Sequence, residues 1–158
     1  MAFGQLSLKG RALRLLSQRE HSRSELAAKL ARHVTAEDAA IHMALVEKTV
    51  DELSQLGFVS DERTADSVVH SKGQRYGVMK IRQALQSKGL SAELISSALE
   101  KASASELETA RQVWARRFGE RAETPKEYAR QYRFLTSRGF STQTVRTTLD
   151  GRASLDED

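Results

Sequence analysis

The chain has 158 residues, of which 39% are hydrophobic, and it contains no cysteine. This composition allows a modest hydrophobic core and excludes disulfides, iron–sulfur clusters and zinc sites built on thiolates. The net charge is +4, and 17 of the 25 basic residues are arginine, whose planar guanidinium suits phosphate and carboxylate groups. The sequence has neither an apolar run of about 18 residues nor a signal-peptide pattern, so we expect a cytosolic protein.

Helices are predicted along the whole chain, because it has a single proline and lacks a convincing alternation of apolar and polar residues. Helix starts are indicated at Ser22, Ser60, Ser91, Ser103 and Thr124. Residues 22–25, 103–106 and 124–127 fit the capping box, in which a hydroxyl and a carboxylate accept hydrogen bonds from free amides at a helix N-terminus. Apolar residues recur at helical spacing between these starts, which predicts about nine helices.

An internal repeat divides the chain. Residues 84–91, ALQSKGLS, align without gaps on residues 134–141, FLTSRGFS, at a shift of 50 residues. The shared pattern is a helix ending at a basic residue, a left-handed glycine, a buried apolar residue and a serine that caps the next helix. Residues 30–35 resemble a first copy.

The repeat predicts an all-α fold of three tandem three-helix units, followed by an acidic tail at residues 151–158. The units are expected over residues 1–60, 61–103 and 104–150. Helical repeats that stack side by side give an elongated, curved body, and a compact bundle of the three units is the alternative.

Basic residues are concentrated in two acid-free segments. Neither residues 67–92 nor residues 128–149 contain an aspartate or glutamate. Positive charge at corresponding positions of stacked units would form a stripe that fits a phosphate backbone or an acidic partner surface, although a solvated helix face would look similar. The candidate binding residues are Lys72, Arg75, Lys80, Arg82, Lys88, Arg130, Arg133, Arg138 and Arg146.

Three aromatic residues, Trp114, Tyr128 and Tyr132, occur at helical spacing among apolar residues. Such a stripe could stack nucleic-acid bases, but it is more typical of a hydrophobic core, which is the interpretation we favour.

Catalytic and metal-binding patterns are not found. The four histidines, His21, His33, His42 and His70, are isolated, so each is expected to be a surface or partly buried side chain. The glycines of residues 73–77 lack the Gly-Lys-Ser/Thr ending of a phosphate-binding loop and fit a turn between helices. Paired carboxylates, such as Glu106 and Glu108, have ordinary capping or surface explanations. We therefore expect no enzyme, no metal and no cofactor.

Two segments, residues 24–30 and 46–59, look like the helices of a winged-helix transcription regulator. That fold needs a β-hairpin after Gly57-Phe58-Val59, whereas residues 60–69 have the pattern of a new helix. The missing wing makes this the second choice.

Over nearly its whole length, the sequence resembles the RecX family, cytoplasmic bacterial regulators of the RecA recombinase. The resemblance is carried by residues 14–26, 53–63, 77–85 and 133–141, which are specific only in combination. Thr64 departs from the family pattern, because an aromatic residue is frequent there.

The resemblance implies three tandem three-helix units without a cofactor. It also implies an inhibitor that lodges in the groove of RecA filaments on single-stranded DNA, with duplex DNA as a further possible ligand, and a role in recombination, DNA repair and the SOS response. A monomer without membrane contact is expected. Capping of filament growth and blocking of the groove are both left open.

Overall fold

The computed structural model describes residues 6–32 and 36–151, and every regular element within these ranges is helical. The all-α prediction is thereby confirmed for the described residues. The elements are α1 (Leu8–Gln18), α2 (Arg23–Ala31), a 3₁₀ turn (Ala36–Asp38), α3 (Ala39–Gln55), α4 (Asp61–Lys72), α5 (Val78–Ser87), α6 (Ala92–Arg117), α7 (Pro125–Ser137) and α8 (Thr142–Asp150).

Two of the three predicted capping boxes have the expected hydrogen bonds in full or in large part, and the Ser60 hydroxyl accepts a hydrogen bond from the Arg63 N–H at the start of α4. Ser22 and Glu25 form a complete capping box at the start of α2. The Thr124 hydroxyl accepts a hydrogen bond from the Glu127 N–H, and Pro125 occupies the first turn of α7. The Glu127 carboxylate, however, accepts from the N–H of Glu123, one residue before the cap. The left-handed glycines predicted in the repeat are confirmed, with φ of 67° at Gly89 and 84° at Gly139.

The predicted helix start at residues 103–106 is wrong, because α6 runs through it without a break. This segment contains no glycine or proline, and the buried residues continue at helical spacing across it, including Ala98, Ala102 and Ala110. Eight α-helices therefore replace the nine expected within the described residues.

Glu106 is neither a surface residue nor at the start of its own helix, contrary to the prediction. Its side chain is buried, and its carboxylate accepts hydrogen bonds from the Val78 N–H at the start of α5 and from the Thr144 hydroxyl of α8. Ser141, which caps α8, also donates to this carboxylate. A carboxylate at two helix N-termini satisfies amides that have no partner within their own helices.

Within the described ranges, the chain forms two compact units. The first extends to Ser67 and includes Ser87–Ser91, and the second comprises Val68–Gln86 and the residues from Ala92 onward. In the first unit, one apolar face each of α1, α2 and α3 forms the core. Its buried residues are Ala12, Leu26, Leu30, Val46, Val50, Leu53 and Val59.

The core of the second unit lies between α6, α7 and α8. Its buried residues are Ala110, Leu135, Phe140, Val145 and Leu149. The turn before α5 is joined to the turn after α7 by backbone hydrogen bonds, from the Gly77 N–H to the Arg138 carbonyl and from the Met79 N–H to the Gly139 carbonyl. A side chain at Gly77 would overlap the Gly139 carbonyl, so this close approach requires glycine.

Candidate nucleic-acid interface

The nine basic residues predicted to bind phosphate or an acidic partner belong to both compact units. Lys88 is part of the first unit, and the other eight belong to the second. Within the second unit, Lys72 and Arg138 are half-buried. The remaining six are exposed: Arg75, Lys80, Arg82, Arg130, Arg133 and Arg146.

Lys88 is held in an ion pair. Its Nζ lies 2.7 Å from Glu25 Oε1, and the two side chains are only 24% and 16% exposed. Burial by itself would raise the pKa of Glu25, but hydrogen bonds from Lys88, the Ser22 N–H and Arg19 lower that pKa to about 2. Lys88 therefore stabilises the charged carboxylate at the start of α2.

Arg138 is the centre of a basic and aromatic surface in the second unit. Its guanidinium lies 5.2 Å from the ring centroid of Phe134 and 5.5 Å from that of Tyr76. The Lys72 ammonium lies 5.4 Å from the same Tyr76 ring. These distances are typical of cation–π interactions, which favour these positions of the two cations.

The same surface continues along the ends of α6 and α7. The Arg117 guanidinium lies 5.7 Å from the Phe118 centroid and 5.9 Å from that of Phe134, and Arg130 lies 6.0 Å from Phe118. The two phenylalanine rings contact each other edge to face at 5.3 Å. We call this surface the arginine–aromatic patch, and it consists of Lys72, Arg75, Tyr76, Arg116, Arg117, Phe118, Arg130, Phe134 and Arg138.

An open depression of about 340 Å³ lies within the arginine–aromatic patch. Four arginines, Arg75, Arg116, Arg117 and Arg138, line it together with Phe134 and Val113. The ion pairs Arg19–Glu25, Arg23–Asp51, Arg63–Glu20 and Lys88–Glu25 involve none of these arginines. Such a cluster of guanidinium groups is suited to an anion with several oxygen acceptors, such as a phosphate backbone.

Sequence reasoning missed Arg116, Arg117 and Phe118, because they follow an acidic stretch of α6 and lie outside both acid-free segments. A signal was nevertheless present in α7. Arg130, Phe134 and Arg138 are four residues apart, which places an aromatic ring between two arginines on one helix face.

The other predicted residues of the second unit do not line the depression of the arginine–aromatic patch. Lys80 packs its aliphatic stem against Gly139, and Arg82 lines a separate depression with Ile95 and Glu100. Arg146 lies near the Tyr128 hydroxyl. Arg133 is exposed on α7 and is not among the residues that line the depression of the arginine–aromatic patch.

The core interpretation of the aromatic stripe is confirmed. Trp114, Tyr128 and Tyr132 pack against the core of the second unit. The Trp114 indole N–H donates a hydrogen bond to Gln131 Oε1 at 2.9 Å, which satisfies its polar atom inside the protein. These rings are therefore not the ones that face the arginines.

The histidines have separate surroundings. The prediction of a surface or partly buried side chain is wrong for His21, which is fully buried: its Nδ1 lies 3.0 Å from the Arg19 carbonyl and its Nε2 2.9 Å from Lys29 Nζ. Burial lowers its pKa, and the positive charges of Arg19 and Lys29 lower it further. His42 contacts the Leu30 carbonyl, His70 is exposed, and His33 lies outside the described residues. Within residues 6–32 and 36–151, no cluster of side chains could hold a metal ion, and no helix has the length and apolar character to cross a membrane.

The family models that match this chain divide it at nearly the same positions as the internal repeat does. Models of the first, second and third three-helix domains of RecX match residues 9–42, 60–99 and 104–149, respectively. Three tandem helical units are thereby confirmed. The exact limits predicted for them, such as the division between residues 103 and 104 within α6, stay a prediction.

Full-length relatives and solved structures agree with these matches. Regulatory protein RecX from Leptothrix cholodnii is 50% identical over 145 residues, which cover 92% of this chain and 88% of the relative. The RecX protein of Ralstonia nicotianae is 40% identical over 153 residues, covering 97% and 92%. The crystal structure of RecX from Lactobacillus salivarius has the same fold, with a TM-score of 0.71 at 21% identity over 91% of this chain and 93% of that one. A further crystal structure of regulatory protein RecX has a TM-score of 0.70 at 26% identity, covering 92% and 72%. The chain therefore belongs to the RecX family of regulatory proteins.

Proposed function

We propose that this protein inhibits the RecA recombinase by binding RecA filaments on single-stranded DNA, and that the arginine–aromatic patch contacts the DNA or the filament surface. Membership of the RecX family supports a regulatory role. The main support for a DNA contact is the packing of Arg138 over Phe134 and Tyr76. The protein acts as a cytoplasmic monomer, by binding and without catalysis.

The geometry of the patch favours binding that is independent of base sequence. Arginines held against rings lose little conformational freedom when they bind an anion, and their forked guanidinium groups match phosphate oxygens. Phosphate contacts supply affinity without information about sequence. A regulator that acts along a filament has to tolerate every sequence of the underlying strand.

The alternative, a winged-helix transcription regulator, is less well supported. The wing of such a protein would follow Val59, and α4 (Asp61–Lys72) occupies this part of the chain. Without the hairpin, one of the two DNA-contacting elements of that fold is missing within the described residues.

The test adds the full chain to RecA on single-stranded DNA and follows ATP hydrolysis and strand exchange. Three variants are compared: the wild type, the patch triple variant R75Q/R117Q/R138Q and the matched triple variant K80Q/R82Q/R133Q. Both triple variants remove three positive charges from the second unit, but only the first removes them from the arginine–aromatic patch. Circular dichroism verifies that all three proteins keep the same helix content.

We expect wild-type protein to inhibit RecA at amounts too small to cover the DNA. The patch triple variant should need at least about tenfold more protein for the same inhibition, since each charge-assisted hydrogen bond contributes about 1.5–3 kcal/mol. If both triple variants lost inhibition of RecA equally, binding would depend on the overall positive charge of the unit and not on the arginine–aromatic patch. Unchanged RecA activity, together with selection of one palindromic site from genomic DNA, would replace the proposal with the winged-helix alternative.

A further inference from the structure

A second basic surface, in the first unit, has a different chemistry from the arginine–aromatic patch. It is an open groove of about 770 Å³, a volume in the range of ligand-binding clefts. Four cationic side chains line it: Arg11, Arg14, Lys29 and Arg32. We call it the N-terminal groove. None of these four cations belongs to the arginine–aromatic patch, on which the proposed function rests.

The floor of the N-terminal groove is aliphatic. Leu6, Leu15 and Leu30 line it beside the four cations, and Leu6 is 51% exposed. The described lining contains neither a carboxylate nor an aromatic ring. The described lining therefore offers no ring on which a nucleic-acid base could stack, in contrast to the arginine–aromatic patch.

Helix electrostatics explain only half of the positive charge. Lys29 and Arg32 lie at the C-terminal end of α2, where the helix dipole stabilises cations. Arg11, by contrast, lies in the first turn of α1, at the end where the dipole disfavours a cation, and Arg14 lies one turn later on the same face. Arg11 therefore costs stability unless an anion offsets it, whereas Arg14 lies beyond the turn in which the dipole acts.

Arg11 can reach a ligand in the groove only through its terminal guanidinium nitrogens. Its Nε atom is buried and has no hydrogen-bond partner among the described residues, so a carboxylate in the groove cannot contact that atom. The two terminal nitrogens match the two oxygens of a carboxylate. Lys29 uses one ammonium hydrogen toward His21 and retains two others for a second acceptor.

We propose that the N-terminal groove binds an acidic amphipathic helix of a protein partner. Aliphatic side chains of that helix, spaced three and four residues apart, pack on Leu6 and Leu15, and its flanking carboxylates pair with Arg11 and Arg14. This is the recognition mode in which an amphipathic helix lies in a hydrophobic groove, with charge added at the rim. A nucleic-acid ligand would use the four cations but leave the leucine floor uncovered, and for this reason the protein ligand is preferred.

The experiment measures fluorescence anisotropy of a labelled 14-residue peptide with leucine and glutamate at helical spacing. A second peptide replaces every leucine by serine at the same charge, and a labelled oligothymidylate serves as the nucleic-acid probe. The full chain is compared with R11Q/R14Q, with the charge-matched control K9Q/K48Q, and with L6S. Both control lysines are exposed residues of the first unit outside the groove lining.

The leucine peptide should bind at least about tenfold more tightly than the serine peptide. R11Q/R14Q should weaken the affinity for the leucine peptide about tenfold, whereas K9Q/K48Q should weaken it less than about twofold. L6S should reduce the ratio between the affinities for the two peptides. Equal affinity for both peptides, or equal loss in both charge variants, overturns the proposal. So does a loss of oligothymidylate binding in R11Q/R14Q without a loss of peptide binding, because the groove would then be a nucleic-acid site. Thermal unfolding verifies that the variants are folded.

Discussion

Ser141 donates two hydrogen bonds to the carboxylate of Glu106, one from its backbone N–H at 3.1 Å and one from its hydroxyl at 2.9 Å. The same carboxylate accepts the Val78 N–H at 3.0 Å and the Thr144 hydroxyl at 2.7 Å. One side chain of α6 thus joins the starts of α5 and α8.

Replacing Glu106 by alanine should lower the free energy of unfolding by about 3 kcal/mol, because four donors lose a charged acceptor. Urea denaturation measures the loss. The matched control is Glu108→Ala, an exposed position two residues further along α6, which should change stability by no more than about 0.5 kcal/mol. Similar losses at both positions would mean that the buried carboxylate contributes no more than helix propensity.

Two buried threonines should respond oppositely to valine. The Thr64 hydroxyl has no hydrogen-bond partner in the described part of the chain, so Thr64→Val should stabilise the protein by about 1 kcal/mol. The Thr109 hydroxyl donates to the Gly73 carbonyl at 3.0 Å, so Thr109→Val should destabilise it by about 1 kcal/mol. Thermal and urea unfolding of the two variants tests the difference in sign. A shared sign would count against the assigned hydrogen bonding.

The ion pair of Glu25 should make stability depend on acid pH. Its pKa is lowered from 4.5 to about 2, so its contribution is present above pH 4.5 and is lost as the pH falls toward 2. The difference in unfolding free energy between wild type and Glu25→Gln should therefore shrink across this range in urea titrations. Lys88→Met should reduce the same pH dependence, because it removes the partner at 2.7 Å. A difference that stays constant from pH 6 to pH 2.5 would contradict the lowered pKa.

The arginine–aromatic patch should determine how salt affects DNA binding. Each lost phosphate contact reduces the slope of log affinity against log salt by about 0.7 on single strands, so R75Q/R117Q/R138Q should flatten the slope by about 2. Anisotropy of a labelled oligothymidylate at several salt concentrations gives the slope. K80Q/R82Q/R133Q, with the same charge, should leave the slope nearly unchanged, and a slope equally flattened in both would indicate a diffuse basic face.

Local signals allowed most of the fold to be predicted from sequence. Ser22 and Thr124 begin helices through one or two local hydrogen bonds, and Gly139 ends a helix through its left-handed backbone. Each role depends only on residues within about five positions, so the sequence predicts it. The capping pattern at residues 103–106 predicted a helix start that the structure does not have. Burial of this segment along one side of α6 favours a continuous helix over a new cap. Glu106 finds its partners 28 and 35 residues away, at Val78 and Ser141, and no local pattern encodes this choice.

The candidate site was less predictable than the fold for the same reason. Counting acid-free segments found Arg75, Arg130 and Arg138 but also selected Lys88, whose partner Glu25 lies 63 residues earlier. Arg117 was missed, because its proximity to Phe134 arises from the packing of α6 against α7.

The unbroken α6 fixes an angular register between the segments before and after residue 103. Inserting one residue between Ala102 and Glu106 would lengthen the helix by about 1.5 Å and rotate everything beyond it by about 100°. Glu106 would then face away from Val78, and Arg138 would be displaced from Tyr76, which precedes the insertion. Differences in length between this chain and its relatives should therefore fall in the connections at residues 73–77 and 118–124, whereas the number of residues along α6 should stay constant.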